Sequence, residues 1–139
     1  MSSLFPNYAR RPVHLIEGKG TIVTDDQGKK YLDFTSGIAV LSLGHAHPAI
    51  VKAIQEQSEK LWHTSNLFES KKQEQLASTL IEETHFSHAF FCNSGAEANE
   101  AAIKLARKHT GKHTIITFEN SFHGRTFGAM SATGQEKVR

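Results

Sequence analysis

The sequence holds a single cysteine, Cys92, so no disulfide can form within it, and that usage fits a reducing compartment. No run of 18 consecutive apolar residues occurs, which argues against a membrane-spanning helix. The N-terminal segment MSSLFPNYARRP lacks the apolar centre of a secretory signal. The expected location is the cytoplasm. Neither sign of charge dominates: 16 basic residues stand against 14 acidic ones, a formal net charge of +2. They are interspersed, with no basic stripe, so nucleic acid is not an expected partner. Internal repeats and low-complexity tracts are missing as well.

What is present is the composition of a soluble globular protein, 38% hydrophobic and 22% charged. A length of 139 residues suits one ordinary domain, which could bury roughly two-thirds of its unfolded surface. Pro6 and Pro12 bracket a polar arm expected to lie extended. Thr21–Thr24, the turn residues Asp25–Gly28 and Tyr31–Phe34 predict a β-hairpin. Ser36–Leu43 (SGIAVLSL) is a short apolar run expected to be buried and irregular. Pro48 suits the first turn of a helix reaching about Leu61, with Ile50, Val51, Ile54 and Leu61 on one side. Trp62–Phe68 reads as a connection. Ser70 and Gln73 form a capping-box pattern before a second helix whose apolar face is Leu76, Ala77, Leu80 and Ile81.

The pattern then changes. His88–Cys92 predicts a strand, Glu97–His109 a helix and Thr114–Phe118 another strand, a βαβ unit whose strands run parallel through a right-handed crossover. A parallel pair is buried on both faces and needs further strands and covering helices. The chain is therefore expected to be the start of a larger α/β protein, with Arg139 arriving in mid-pattern.

The junction of the first strand and the helix is the stretch with chemical content. Ser94 is placed to cap the helix, and Gly95 and Ala96 are its first residues, so unpaired N–H groups and the positive end of the helix dipole converge on an anion site. Glu97, three residues after Ser94, completes a capping box, and capping is its expected role. Rival phosphate motifs fail: Gly111-Lys112 is followed by His113, with Ala106 where a P-loop needs glycine, and no G-x-G-x-x-G is present. Alanines 98, 101, 102 and 106 predict a helix packed closely on a sheet. Phe122, His123 and Arg125 follow the second strand and should share a rim with Ser94; a ring can stack on a flat heterocycle and an arginine can grip a carboxylate. His45 and His47 have no cysteine or carboxylate cluster nearby in sequence, so a tight loop closing on a helix is preferred to a metal site.

Taken in order, these segments resemble the N-terminal third of the class III (ornithine-type) aminotransferases. The resemblance runs through Gly18–Phe34, SGIAV (Ser36–Val40), LGHAHP (Leu43–Pro48), HTSNLF (His63–Phe68), FFCNSGAEANEAAIKLAR (Phe90–Arg107), FHGRT (Phe122–Thr126) and ATGQ (Ala132–Gln135). Leu41-Ser42 stands where relatives often carry asparagine. The resemblance implies the α/β architecture of fold-type I enzymes that use pyridoxal 5′-phosphate. Residues 1–65 would form an N-terminal arm and part of a small domain, hairpin included. Residues 66–139 would begin the large, mostly parallel-sheet domain.

It further implies that Ser94, Gly95 and Ala96 cradle the cofactor phosphate, and that Phe122 stacks on the pyridine ring. Arg125 would hold the substrate α-carboxylate, and Ile38 and Ala39 would line the substrate channel. The implied activity is a ping-pong amino transfer between N-acetylornithine and 2-oxoglutarate, yielding glutamate in arginine biosynthesis, by a homodimer. Ornithine, succinylornithine or 4-aminobutyrate are alternative donors, and an inert phosphate-binding remnant is a further alternative. The lysine that binds the cofactor, and the aspartate that pairs with its ring nitrogen, are expected beyond residue 139; Lys52 and Lys104 do not match that lysine. No catalytic residue and no metal ligand is expected within these residues.

Overall fold

The computed structural model describes residues 3–138; Arg139 lies outside them. The chain forms two compact units, Met1–Glu69 and Ser70–Arg139.

The first unit is built on a three-stranded antiparallel sheet, β1 (Leu15–Lys19), β2 (Ile22–Asp25) and β3 (Lys30–Leu32), in that order. The expected hairpin is β2–β3. β1 escaped the sequence reading because LIEGK carries glutamate, glycine and lysine, which strands disfavour. The turn is organised by Asp25, 6% exposed. Its Oδ1 accepts the Gln27 and Lys29 amides at 3.0 and 2.9 Å, and its Oδ2 accepts the Tyr31 hydroxyl at 2.7 Å.

The segment expected to be buried is not. Ile38 is 92% exposed, and Val40 and Leu43 are exposed too, because nothing in this unit covers them. The segment is ordered from within instead. α1 (Ser36–Ala39) is a helical turn of left-handed hand, with φ of 47°, 62°, 63° and 61° along Ser36, Gly37, Ile38 and Ala39. For a residue with a Cβ this conformation costs about 1–2 kcal/mol, so something must hold it. Asp33 does: Oδ1 accepts the Thr35 amide (2.9 Å), the Thr35 hydroxyl (2.8 Å) and the Ser36 amide (3.0 Å). Its Oδ2 accepts from His45 Nε2 at 2.8 Å.

His45 is itself tied to the sheet, exchanging backbone hydrogen bonds with Gly20 at 2.8 and 2.9 Å. Gly44, at φ 77°, approaches Gly20 so closely that a Cβ would sit 2.8 Å from its carbonyl oxygen. The carboxylate on His45 was not foreseen, yet among the described residues no group of three ligands could hold a metal ion. α2 (Pro48–Ser58) follows, starting at the proline as expected.

In the second unit, α3 (Lys71–Glu82) is capped by Ser70, whose Oγ accepts the Gln73 amide at 3.4 Å. α4 (Gly95–Thr110) and α5 (Phe127–Ala132) pack on each other. The two flanking strands of the expected βαβ unit do not form: among the described residues the sheet of the first unit is the only one. A strand exists through its ladder, and residues 88–92 and 114–118 find no partner. Ile116 and Phe118 stand 94% and 85% exposed. The alanine face of α4 likewise has no sheet beneath it.

The accessible surface is 13,066 Å². Among the described residues no helix is long and apolar enough to cross a membrane.

Asp33 and Asp25 are both held below the ordinary carboxylate value of 3.8, chiefly by the His45 and the Tyr31 hydrogen bond respectively. Their folded-state pKa is depressed, so their contribution is complete above about pH 4 and drains away as pH falls towards the folded values. Asp33→Asn is expected to flatten the acid limb of stability, measured as urea midpoints at pH 3, 5 and 7. An unchanged acid limb would show that Asp33 does not anchor α1.

Candidate functional site

The site is assembled at the start of α4. Ser94 is extended, at φ −155° and ψ 159°, and its Oγ accepts the Glu97 amide at 3.2 Å while its carbonyl accepts the Ala98 amide at 3.0 Å. Glu97 turns back and accepts the Asn93 amide through Oε2 at 2.7 Å. The box therefore closes one residue earlier than its usual pattern, which ends on the cap residue itself. These bonds leave the Gly95 and Ala96 N–H groups without an acceptor among the described residues. The helix runs 16 residues, ample for a dipole that favours negative charge at this end.

A loop from 122 to 126 faces these amides. Asn99 Nδ2 donates to the His123 carbonyl at 2.6 Å. Thr133, fully buried, accepts the His123 amide at 3.1 Å through its hydroxyl. Gly124 takes φ 137°, and a Cβ there would lie 2.7 Å from the Ala96 Cβ and 2.9 Å from the Ala129 Cβ. Only glycine lets the loop lie this near α4.

On the far side Glu100 Oε1 accepts three donors: the Thr126 hydroxyl at 2.5 Å, the Gly128 amide at 2.9 Å and the Ala129 amide at 3.1 Å. These donors, the Thr126 hydroxyl foremost, hold the Glu100 carboxyl below its ordinary value of 4.5.

Between helix and loop lies a cleft of about 460 Å³ lined by Gly95, Ala96, Asn99, Phe122, His123, Gly124, Arg125 and Thr126. That is within the usual size range of small-molecule sites. The Phe122 ring is half exposed, and the Arg125 guanidinium carbon stands 5.3 Å from its centroid, a cation–π contact. Gly95, Ala96, Phe122 and Arg125 are thus brought together. Ser94 adjoins the cleft as the cap of α4 and is not among its lining residues. Ile38 and Ala39 lie in the first unit, on the left-handed turn.

Sequence reasoning missed Asn99, Glu100, Gly124 and Thr133. The available signal was spacing: Ala96, Asn99 and Glu100 share one helix face at i, i+3 and i+4, and two polar residues interrupt an alanine-rich face there.

A profile described as aminotransferase class-III matches residues 5–139. The acetylornithine aminotransferase of Bacillus anthracis is 61% identical over 139 residues, all of this chain and 36% of its own length. Among solved structures, the N-acetylornithine aminotransferase of Stenotrophomonas maltophilia is 48% identical with a TM-score of 0.78, over 84% of this chain and 34% of its own. A taurine:2-oxoglutarate aminotransferase from Bifidobacterium kashiwanohense, solved with PLP and glutamate, is 33% identical with a TM-score of 0.89, over 99% of this chain and 31% of its own. The chain thus spans about a third of the length of the relatives it matches. With the matched profile running over nearly every residue and the α/β fold of these enzymes shared, the chain belongs to the class III aminotransferases.

Proposed function

We propose that the protein containing this chain is a pyridoxal 5′-phosphate-dependent enzyme moving an amino group between N-acetylornithine and 2-oxoglutarate, a step of arginine biosynthesis. One observation carries the site reading: Gly95 and Ala96, whose N–H groups have no acceptor among the described residues, line the same cleft as an aromatic ring and a guanidinium. The choice of donor is supported by 61% identity to an acetylornithine aminotransferase.

The residues present fit a phosphate. A Cβ placed on Gly95 would meet nothing within 4 Å, so the space beside the first amides of α4 is open to an anion. Ser94, Gly95 and Ala96 would hold it there, with Phe122 lying against the flat ring. When bound, such a cofactor supplies the electrophilic carbon and the electron sink that amino transfer needs.

Arg125 presents a planar fork that fits an α-carboxylate through two parallel hydrogen bonds, which orients donor and acceptor alike. Ile38 and Ala39 are apolar and would wall the substrate channel without competing for its polar groups. On this reading residues 1–65 belong to an arm and small domain and 66–139 open the large one. The complete enzyme works as a cytoplasmic homodimer, with its lysine outside these residues.

In the full-length protein, Arg125→Ala is expected to raise KM for both carboxylate substrates about 10- to 100-fold, the value of a charged hydrogen bond. Unaltered KM would remove Arg125 from the clamp. Donor assays against ornithine, succinylornithine and 4-aminobutyrate check the substrate, and equal turnover with any of them would refute N-acetylornithine as the dedicated donor. The 139-residue chain alone is expected to take up the cofactor weakly and to yield no borohydride-reducible adduct. A stoichiometric adduct on one lysine, seen by mass spectrometry, would contradict the reading.

A further inference from the structure

We propose that Glu100 is the positioning residue of the carboxylate clamp, fixing where Arg125 stands by capping the helix that follows it. The inference rests on the role of Arg125 proposed above. α5 begins at Phe127 with Thr126 in the cap position, yet the Thr126 side chain makes no capping bond. It gives its hydroxyl to Glu100 instead. Glu100 Oε1 then accepts the Gly128 and Ala129 amides, the second and third residues of the helix, which a cap side chain would ordinarily satisfy. A residue 26 positions away in sequence thus does the work of a local cap.

The geometry explains why this reaches Arg125. One residue earlier on α4, Asn99 grips the His123 carbonyl. Adjacent side chains of a single helix therefore pin the loop on both sides of Gly124-Arg125, at His123 and at Thr126. Gly124 seats the loop against Ala96 between those pins. α4 carries the open amides at its start and sets the loop one turn later. The distance from anion site to guanidinium is accordingly set by one rigid rod, whereas a self-capped α5 would leave the loop free to drift.

All three donors converge on Oε1, so the role is that of an acceptor at that point. In the full-length enzyme, Glu100→Ala is expected to raise KM for the amino donor and for 2-oxoglutarate roughly 10- to 100-fold, the effect of a misplacement near 1 Å. kcat should stay within about threefold, and Glu100→Gln, which keeps the acceptor, should restore KM to within about threefold of the parent. Combined with Arg125→Ala, Glu100→Ala should add nothing further, since both act through one guanidinium. Independently of turnover, amide hydrogen exchange at Gly128 and Ala129 in the cofactor-free protein should quicken at least about tenfold in Glu100→Ala, as expected when a capping bond is lost.

If Arg125→Ala raises KM and Glu100→Ala does not, the positioning role of Glu100 falls and the clamp stands. If Arg125→Ala leaves KM unaltered, the clamp itself falls. A loss confined to kcat that Gln does not restore would make Glu100 a proton-transfer group and overturn the proposal, as would unchanged exchange at the two amides. Should Glu100→Ala fail to fold, Glu100→Asp, whose carboxylate is drawn back by one methylene, takes its place; a parental KM in that variant would overturn the proposal too.

Discussion

A helix that starts in water leaves its first amides without acceptors, and the second unit is organised by how α4 distributes them. Ser94 satisfies the amides of Glu97 and Ala98 with its hydroxyl and its carbonyl. Glu97 reaches back to the Asn93 amide, which fixes the direction from which the chain enters. The remaining two donors, on Gly95 and Ala96, have no acceptor among the described residues, and both residues line the cleft. One turn further on, Asn99 and Glu100 turn the same helix into the mount for the loop that carries Phe122 and Arg125. Cap, donor pair and mount thus occupy seven consecutive residues.

The rest of the structure is governed by what α4 does not have. Ala98, Ala102 and Ala106 of its alanine face, Ile50 and Ile54 of α2 and Leu76 and Leu80 of α3 belong to helix-period apolar patterns, yet all are solvent-exposed. Among the described residues the fully or nearly fully buried side chains are few: Val23, Asp25, Ala129 and Thr133. Asp25 and Thr133 are polar, and each is hydrogen-bonded, as burial demands. In both units, then, local hydrogen-bonded hubs hold what apolar burial does not. Asp33 is such a hub in the first unit and Glu100 in the second, each drawing three donors to a single carboxylate oxygen. Both carboxyls are depressed for the same reason, since a carboxylate that accepts several hydrogen bonds is stabilised in its charged form.

Legibility in the sequence followed the reach of the cause. The Ser70 and Ser94 caps, the β2–β3 turn and the proline start of α2 are settled by residues within four positions of each other, and each was readable. Residues 88–92 and 114–118 have strand composition, but a strand is made by a neighbour, and composition carries no information about whether one is present. The apolar run Ser36–Leu43 reads as buried, although the conformation of its first residues is held by Asp33, itself tied to His45, rather than by a core. Asn99 and Glu100 escaped because their partners lie 24 to 29 residues away: spacing places the two on one helix face but does not say what that face meets. The cleft itself was half legible: its donors and its ring were named from sequence, while the side chains that hold them opposite one another were not.

Two glycines of the site separate what the fold requires from what a ligand requires. Gly124 is demanded internally, because its backbone is left-handed and a Cβ would strike Ala96 and Ala129. Gly95 has neither reason. It stands in a right-handed helix, its φ is not positive, and a Cβ there would touch nothing within 4 Å. Nothing among the described residues sterically requires glycine at this first helical position. On the proposed reading the open volume beside two acceptor-free amides has a use, for it would let an anion come within hydrogen-bond distance of the backbone itself. A glycine that the fold does not need, at the point where the helix dipole is most positive, is the residue a bound phosphate would select.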